Sequence, residues 1–469
     1  MTPATPSSAR LSARRFAAEL AGIFLLSVLV ATVRVIVPEP PNSYRQSNSP
    51  TRANLREDVN EFYDRRSDES GFYIPAIRAI HARWPRVDLS AIAGTDKPPG
   101  YPFIMATAAK LVGLETGRLR VVQILLSALI SALLYGWVRR HWTASASWAI
   151  LGPLVCSSFF VKASSYLTTD NPALLCALGA LVALLRCDAA GWAAGAVLVL
   201  NTLAVTIRQD ALWLVGPTLL VAARAARAGP GWQVSDLLRR CVPIVAVLVP
   251  CGTIAGLWLT WRGLVPPGFY QKEVTAGFGL TPLVYILSVV AICWWPYSIA
   301  ILGWQDAVAR VTRSSAMVCG LAGLLLVLLA DTSYSQRTGH WGGYLWTLAT
   351  LLPAFGRWSL PFFILAPAGA LALAVVFRSL WAQNRATTAI LGVAMLGWAL
   401  SCASNPYVFH RYYETYVLGF IIVAAGLHAA GSPQRVALRN RAILPAFAAG
   451  QMAITVVTLY LSLLPTLRR

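Results

Sequence analysis

An acidic pair, a lysine on a stiff turn and several aromatic rings lie close together in the stretch 68–101 of this 469-residue chain. Asp68-Glu69 comes first, followed by Phe72-Tyr73-Ile74-Pro75 and then by Asp96-Lys97-Pro98-Pro99-Gly100-Tyr101. Adjacent carboxylates beside apolar surface raise each other's proton affinity, so one of them can be set to accept a proton. Asp68 is the candidate base and Glu69 its neighbour. Lys97, beside the Pro-Pro-Gly turn, offers a fixed positive charge to an anion such as a phosphate, and the aromatic run offers a platform. The same acidic pair could instead cap an external helix, where carboxylates complement the N-terminal dipole.

Polar groups recur elsewhere in a consistent manner. Thr168-Thr169-Asp170-Asn171, Arg208-Gln209-Asp210, Gln271-Lys272-Glu273, the stretch from Asp331 through His340 and Tyr344 to Trp346, and His410-Arg411-Tyr412-Tyr413-Glu414 each stand at one end of an apolar run. A charge at the edge of hydrocarbon is costly and normally has a partner, a water-filled cavity or a function. Lys97, Arg208, Lys272, His340 and Arg411 could hold a phosphate, Arg by two parallel donors and Lys as a point charge. Arg208 is equally suited to a salt bridge with Asp170 or Asp210. Trp294, Trp295, Trp341 and Trp346 could stack on a sugar or an apolar tail, or form an interfacial belt.

The elements that must position these residues are membrane helices. The chain is 57% hydrophobic and 12% charged, with a mean hydropathy of +0.60, far from the soluble globular range. Apolar runs of about 18 residues or more recur along it, each long enough for a hydrocarbon core roughly 30 Å thick. Spans are expected near 16–37, 118–138, 145–163, 172–186, 191–207, 211–225, 241–262, 281–304, 316–331, 360–378, 387–404, 413–430 and 442–465. The fold class is therefore all-α, a polytopic bundle of about 13 spans with room for a fourteenth near the C-terminus. Residues 101–113 and 344–356 are too short to span and read as interfacial or dipping helices. The first apolar run has no small-residue cleavage site and is read as an anchor rather than a signal peptide.

Orientation follows from the loops. Arg139-Arg140, Arg224, Arg227, Arg239-Arg240, Arg310, Arg313, Arg378, Arg385, Arg435, Arg439 and Arg441 fall on one set of alternate connections, and the carboxylates fall mostly on the other. The basic set belongs in the cytoplasm. The net charge of +20 is scattered among these short connections rather than gathered on a face, which argues against nucleic acid as a partner. The eight cysteines lie in or at the ends of apolar runs without metal-ligand spacing, and there is no Asp-X-Asp motif, so no metal is expected.

The ordered islands resemble the dolichyl-phosphate-glucose-dependent alpha-1,2-glucosyltransferases, within the GT-C superfamily of polyprenyl-phosphate-sugar-using transferases. Asp68-Glu69 followed by Phe72-Tyr73-Ile74-Pro75 is similar to the family's Asp-Glu and Phe-His-Ile-Pro, and Pro99-Gly100-Tyr101-Pro102 stands against its Pro-Gly-Leu-Tyr. Leu167-Thr168-Thr169-Asp170 resembles a Tyr-Tyr-Thr-Asp/Glu segment, and Arg208-Gln209-Asp210-Ala211 an Arg-Gln-Thr-Asn one. His340-Trp341-Gly342-Gly343-Tyr344-Leu345-Trp346 aligns without a gap to the family's His-Tyr-Thr-Phe-Tyr-Val-Trp, and Arg411-Tyr412 to a later Arg-Tyr. Lys97-Pro98-Pro99 is closer to other bacterial GT-C enzymes.

The resemblance implies one GT-C-type transmembrane domain over 1–469, with a first external loop at 38–117 that carries the catalytic Asp68 and Glu69. It implies transfer of a glucose-like hexose from a polyprenyl- or dolichyl-phosphate donor, as co-substrate, to a lipid-linked glycan or other glycan acceptor on the external face of a bacterial inner membrane. Membrane lipids are the other partners, and no cofactor is expected. Tyr73, Asp96, Lys97, Tyr101, Asp170, Arg208, Gln209, Lys272, Glu273, His340, Tyr344, Trp346, Arg411 and Tyr412 are the expected substrate-binding residues. A single displacement at the anomeric carbon inverts configuration and forms no glycosyl-enzyme. The rival class is a transporter or flippase of a lipid or anionic solute. Such proteins place charges near the midplane on broken helices of repeated halves. Here the charges sit at span ends and no repeat is evident. A third class, a scaffold subunit that keeps the fold without activity, fits less well with Asp68 and Glu69.

Overall fold

Backbone polar groups in hydrocarbon must be satisfied within their own segment, so apolar runs of this length can only be helices. The structure is a computed structural model and describes residues 13–36, 69–89, 97–186, 191–227, 234–263, 265–266, 277–334, 342–405, 407–430 and 436–467. In chain order the helices are α1 (Ala13–Ile36), α2 (Ile74–Arg83), α3 (Gly100–Val112), α4 (Thr116–Val138), α5 (Ala144–Val155), α6 (Ser158–Ser165), α7 (Asp170–Leu184), α8 (Gly191–Ile207) and α9 (Val215–Arg227). They continue with α10 (Val234–Trp261), α11 (Thr281–Leu302), α12 (Trp304–Ala309), α13 (Arg313–Leu329), α14 (Tyr344–Leu351), α15 (Leu360–Gln383), α16 (Arg385–Ala403), α17 (Glu414–Ala430) and α18 (Ile443–Leu467). Among the described residues eight helices are long and apolar enough to cross a membrane, and α7, α8 and α13 are shorter apolar helices. The protein is an all-α integral membrane protein. Leu25, Leu29, Leu259, Leu321, Ile364 and Leu396 are each at least 60% exposed, an apolar surface suited to lipid rather than water.

Lipid tails are as apolar as leucine, so the bundle is held by close packing and by polar links between helices. Asn201 Nδ2 donates to Thr218 Oγ1 at 2.9 Å, joining α8 to α9, and Trp137 Nε1 donates to the Val423 carbonyl at 3.0 Å, joining α4 to α17. Such links average about 0.6 kcal/mol each. The expected span at 145–163 is not straight: α5 and α6 meet at 69°. Pro153 lacks the N–H that would continue the ladder of α5, and Ser157 Oγ starts the new helix by accepting from the Phe160 N–H at 3.3 Å. The expected short helix at 344–356 ends at Leu351, before Pro353, and gives way to a hairpin of β1 (Ala354–Phe355) and β2 (Trp358–Ser359). Residues 101–113 do form a helix of their own, α3.

One end of the bundle is basic. There Arg139 donates to Glu19 at 2.5 Å and 3.2 Å, Arg439 pairs with Asp306, and Asn384 caps α16 by accepting from Ala386 and Thr387. The other end gathers Glu69, Asp170, Asp210 and Glu414, the division anticipated from the loops.

Candidate functional site

At the carboxylate-rich end, Gly100 sets the approach of α3 to α8. A Cβ there would stand 2.5 Å from the Thr206 carbonyl oxygen, so only glycine allows the two backbones this close. This anchors the turn that carries Lys97 and seats Tyr101, which is fully buried. Its hydroxyl donates to Gln123 Oε1 at 3.1 Å, and Gln123 Nε2 donates to the carbonyls of Ala163 and Thr168 at 2.9 Å and 3.2 Å. Tyr73 meets Tyr101 edge to face at 5.3 Å and shares a hydrogen bond with Thr169 Oγ1 at 3.4 Å. Burial, then the neighbouring Tyr73 and Glu69, push the Tyr101 phenol well above its ordinary value, so it stays protonated as a donor.

Glu69 opens a short π-helical turn, Glu69–Tyr73, and is buried. It accepts two bonds from Arg120, from Nε at 3.0 Å and Nη2 at 2.5 Å, and a third from the Leu167 N–H at 3.3 Å. Arg120 itself lies over the Tyr166 ring at 5.2 Å. A carboxylate gripped by a bidentate guanidinium and a backbone donor is an anchor for the loop.

The centre of the site is an ion triad. Asp170 begins α7, and Arg208 follows the last residue of α8 in an extended conformation that turns its guanidinium back toward the bundle. Its Nη1 donates to Asp170 Oδ1 at 2.6 Å, while Nε and Nη2 donate to Asp210 at 3.1 Å and 2.8 Å. The side chains of Arg208 and Asp170 are 9% and 13% exposed, that of Asp210 45%, so the Asp170 pair is the buried half. Burial opposes charge on Arg208, but Asp210 and Asp170 outweigh it and hold its pKa well above the ordinary arginine value. Burial likewise opposes charge on Asp210, and Arg208, then Lys97, overcome it and hold its carboxyl below the usual range. Lys97 thus acts electrostatically on the triad.

These groups line a cavity that opens to solvent, with about 520 Å³ of empty space when the open solvent is included. Asp170, Arg208, Asp210 and Arg411 are its charged lining, with Trp213, Trp398, Tyr412 and Tyr416 as aromatic walls and Asn405 at its edge. Arg208 lies over the Tyr412 ring at 5.1 Å, and Arg411 over Phe409 and Tyr412 at 4.5 Å and 4.8 Å. The Arg411 guanidinium, over aromatic faces, can take a phosphate, and the carboxylates braced by Arg208 can hydrogen-bond the hydroxyls of a sugar ring stacked on a wall.

The expected residues sort clearly. Asp170, Arg208, Arg411 and Tyr412 line one cavity, Lys97 acts electrostatically on its triad, and Tyr73 and Tyr101 do not line it but pack on each other and bond Thr169 and Gln123. Gln209 lies beside the triad without lining the cavity. Tyr344 and Trp346 do not face it: Trp346 is 1% exposed and donates to the Val408 carbonyl at 2.8 Å, and Tyr344 bonds Ser158. Trp294 is buried against Phe377, and Trp295 donates to the Ala368 carbonyl at 3.1 Å, so neither is a platform for sugar. Asp68, Asp96, Lys272, Glu273, His340 and Trp341 lie outside the described residues. Among the described residues no three His, Cys, Asp or Glu side chains converge as metal ligands. Cys176 and Cys293 are buried as expected, whereas Cys241 is exposed.

Sequence reasoning missed the walls Trp213, Trp398 and Tyr416, and the anchor Arg120. The arginine was findable as the second of two cations, after Arg118, at the start of an apolar run. The aromatic walls carried no such signal, because a tryptophan in a membrane helix has the same composition whether it faces lipid, core or cavity.

Comparison with known proteins adds three findings. Residues 96–264 match the family model described as dolichyl-phosphate-mannose-protein mannosyltransferase, a segment that carries Lys97, Asp170, Arg208 and Asp210. No curated protein matches the chain with significance. ArnT from Cupriavidus metallidurans bound to undecaprenyl phosphate is 15% identical with a TM-score of 0.39, covering 90% of this chain and 79% of its own. The same protein in the apo state is 15% identical with a TM-score of 0.35, covering 89% and 78%. Structural likeness of that order is too loose to carry a function across. Over 96–264, then, this chain is similar to the mannosyltransferase family.

Proposed function

We propose that this protein is a membrane glycosyltransferase that moves a hexose from a polyprenyl-phosphate donor to a lipid-linked glycan or other glycan acceptor, by a single inverting displacement. The observation that carries the reading is the cavity where Arg208, Asp170, Asp210, Arg411 and Tyr412 meet at one end of the bundle, with most of its charged lining inside the segment similar to the mannosyltransferase family. In this reading Lys97 and Arg411 receive the phosphate, Arg208 braces the two carboxylates, and the aromatic walls take the sugar face. Positive charge aimed at the departing phosphate stabilises the transition state most where water is scarce. Asp68 is the base for the acceptor hydroxyl, and Glu69, pinned by Arg120, anchors the loop that precedes α2 rather than sharing in proton transfer. The positive-inside rule puts the Arg139 end in the cytoplasm and the cavity on the opposite face, external in a bacterial inner membrane.

The sugar is the finer part. The sequence islands favour glucose and the matched family transfers mannose, hexoses that differ only at one carbon's configuration. The test is label transfer in membranes from a panel of polyprenyl-phosphate hexoses and pentoses, with Asp68→Asn alongside. Transfer from one hexose, lost about 10² to 10⁴-fold in the variant, is the expected outcome for removal of a general base. No transfer from any member of the panel would overturn the proposal.

A further inference from the structure

Behind the cavity lies a second polar cluster that the chemistry above does not use. His410 and Glu414, each 3% exposed at the side chain, are joined Nε2 to Oε2 at 2.7 Å. Glu414 Oε1 accepts from Ser157 Oγ at 2.6 Å, and His410 Nδ1 is 2.9 Å from the Tyr285 hydroxyl. The imidazole stacks on Phe159 at 4.7 Å and meets Tyr344 edge-on at 5.4 Å. From the loop side, the His410 N–H reaches the Gly342 carbonyl at 3.5 Å. Gly343, with φ 142°, comes so close that a Cβ would stand 2.2 Å from the Cβ of His410, a conformation and a clearance only glycine provides. His410 and Glu414 together therefore tie α17 to α11, to the α5–α6 break and to the segment before α14.

The cavity lining runs Arg411, Tyr412, Tyr413, Thr415, Tyr416 and skips His410 and Glu414. The pair thus touches no ligand, yet it holds the first residue of the short 3₁₀ turn His410–Tyr412 whose next two residues carry the Arg411 and Tyr412 side chains into the cavity. A buried charged or polar pair adds little net stability over apolar packing, and its better-attested use is to fix one arrangement.

We infer that His410 and Glu414 are positioning residues that set Arg411 and Tyr412 for the phosphate of the donor. The inference rests on the function proposed above. The pair acts on binding rather than on the chemical step, because among the described residues it meets the cavity through its chain neighbours: Arg411 and Tyr412 follow His410, and Tyr413 and Thr415 flank Glu414.

The test is a double-mutant cycle on the purified full-length protein with undecaprenyl phosphate as the probe. Glu414→Gln keeps the shape but not the charge, and should weaken binding about tenfold, raising KM for the donor while kcat at saturation stays within about twofold. In an Arg411→Ala background the same change should have no further effect. A merely structural role would lower Tm and the folded fraction and leave the Kd of the folded protein unchanged, whereas an action independent of Arg411 would give losses that multiply in the double variant. Either of those last two results overturns the inference. Should Glu414→Gln not fold, Tyr285→Phe, which removes only the hydroxyl on Nδ1, takes its place in the cycle with the same expectations. If the wild-type protein binds no undecaprenyl phosphate, the proposed function itself is wrong; if it binds and the losses multiply, only the positioning role is.

Discussion

Arg208 commits all three of its engaged nitrogens to Asp170 and Asp210, which divides the cations of the site by task. Breaking a buried pair from one side leaves a charge without compensation and costs about 3 kcal/mol, whereas a half-exposed pair is worth under about 1 kcal/mol. Asp170→Asn should therefore lower Tm far more than Asp210→Asn, a contrast that thermal unfolding in detergent measures directly. Equal losses would remove the distinction between the buried and exposed halves. The same triad fixes a pH dependence. The carboxyl of Asp210 is held below its ordinary value, near 3.9 in an unfolded chain, by Arg208 and Lys97. Its contribution to stability is thus complete above that value and is lost as pH falls through the lower folded value. Asp210→Asn should leave the stability profile between pH 5 and 8 parallel to wild type and flatten only its acid limb. At this scale the charged residues were legible, since a charge at the end of an apolar run is conspicuous. The acidic pair Asp68-Glu69 was legible only as a pair: that Glu69 is taken up by Arg120 depends on a contact 51 residues away in sequence, which no local spacing reveals.

Helix boundaries followed the apolar runs closely, because hydrocarbon thickness and backbone hydrogen bonding leave little choice of element. What composition could not reveal was direction. The break between α5 and α6 needed Pro153 and the Ser157 cap to be weighed against a run that is apolar enough to read as one span. The contact of α3 with α8 likewise depends on a single glycine. Gly100→Ala places a methyl group 2.5 Å from a backbone oxygen, and backbone cannot swing aside as a flexible side chain can. The substitution should cost about 1 to 3 kcal/mol and carry Lys97 and Tyr101 away from the cavity, so activity should fall with stability. Wild-type stability and turnover in Gly100→Ala would show that α3 does not position the site.

For the whole molecule, the separation of a basic end from a carboxylate-rich end was readable from the loops and is what makes a one-sided site possible. An impermeant thiol reagent on Asn60→Cys and Gly229→Cys variants tests it: Asn60→Cys should label from outside and Gly229→Cys only after permeabilisation. Both labelling from one side would dissolve the spatial argument. The central claim is that the cavity receives a lipid phosphate that bears a sugar, and equilibrium binding of a polyprenyl-phosphate hexose to the purified protein tests it most directly. Wild type should bind the phosphate lipid and not the uncharged polyprenol, and Lys97→Ala and Arg411→Ala should each weaken binding by roughly 2 to 5 kcal/mol if a desolvated phosphate loses its partner. Equal affinity for the polyprenol, or undiminished affinity in both variants, would contradict the account.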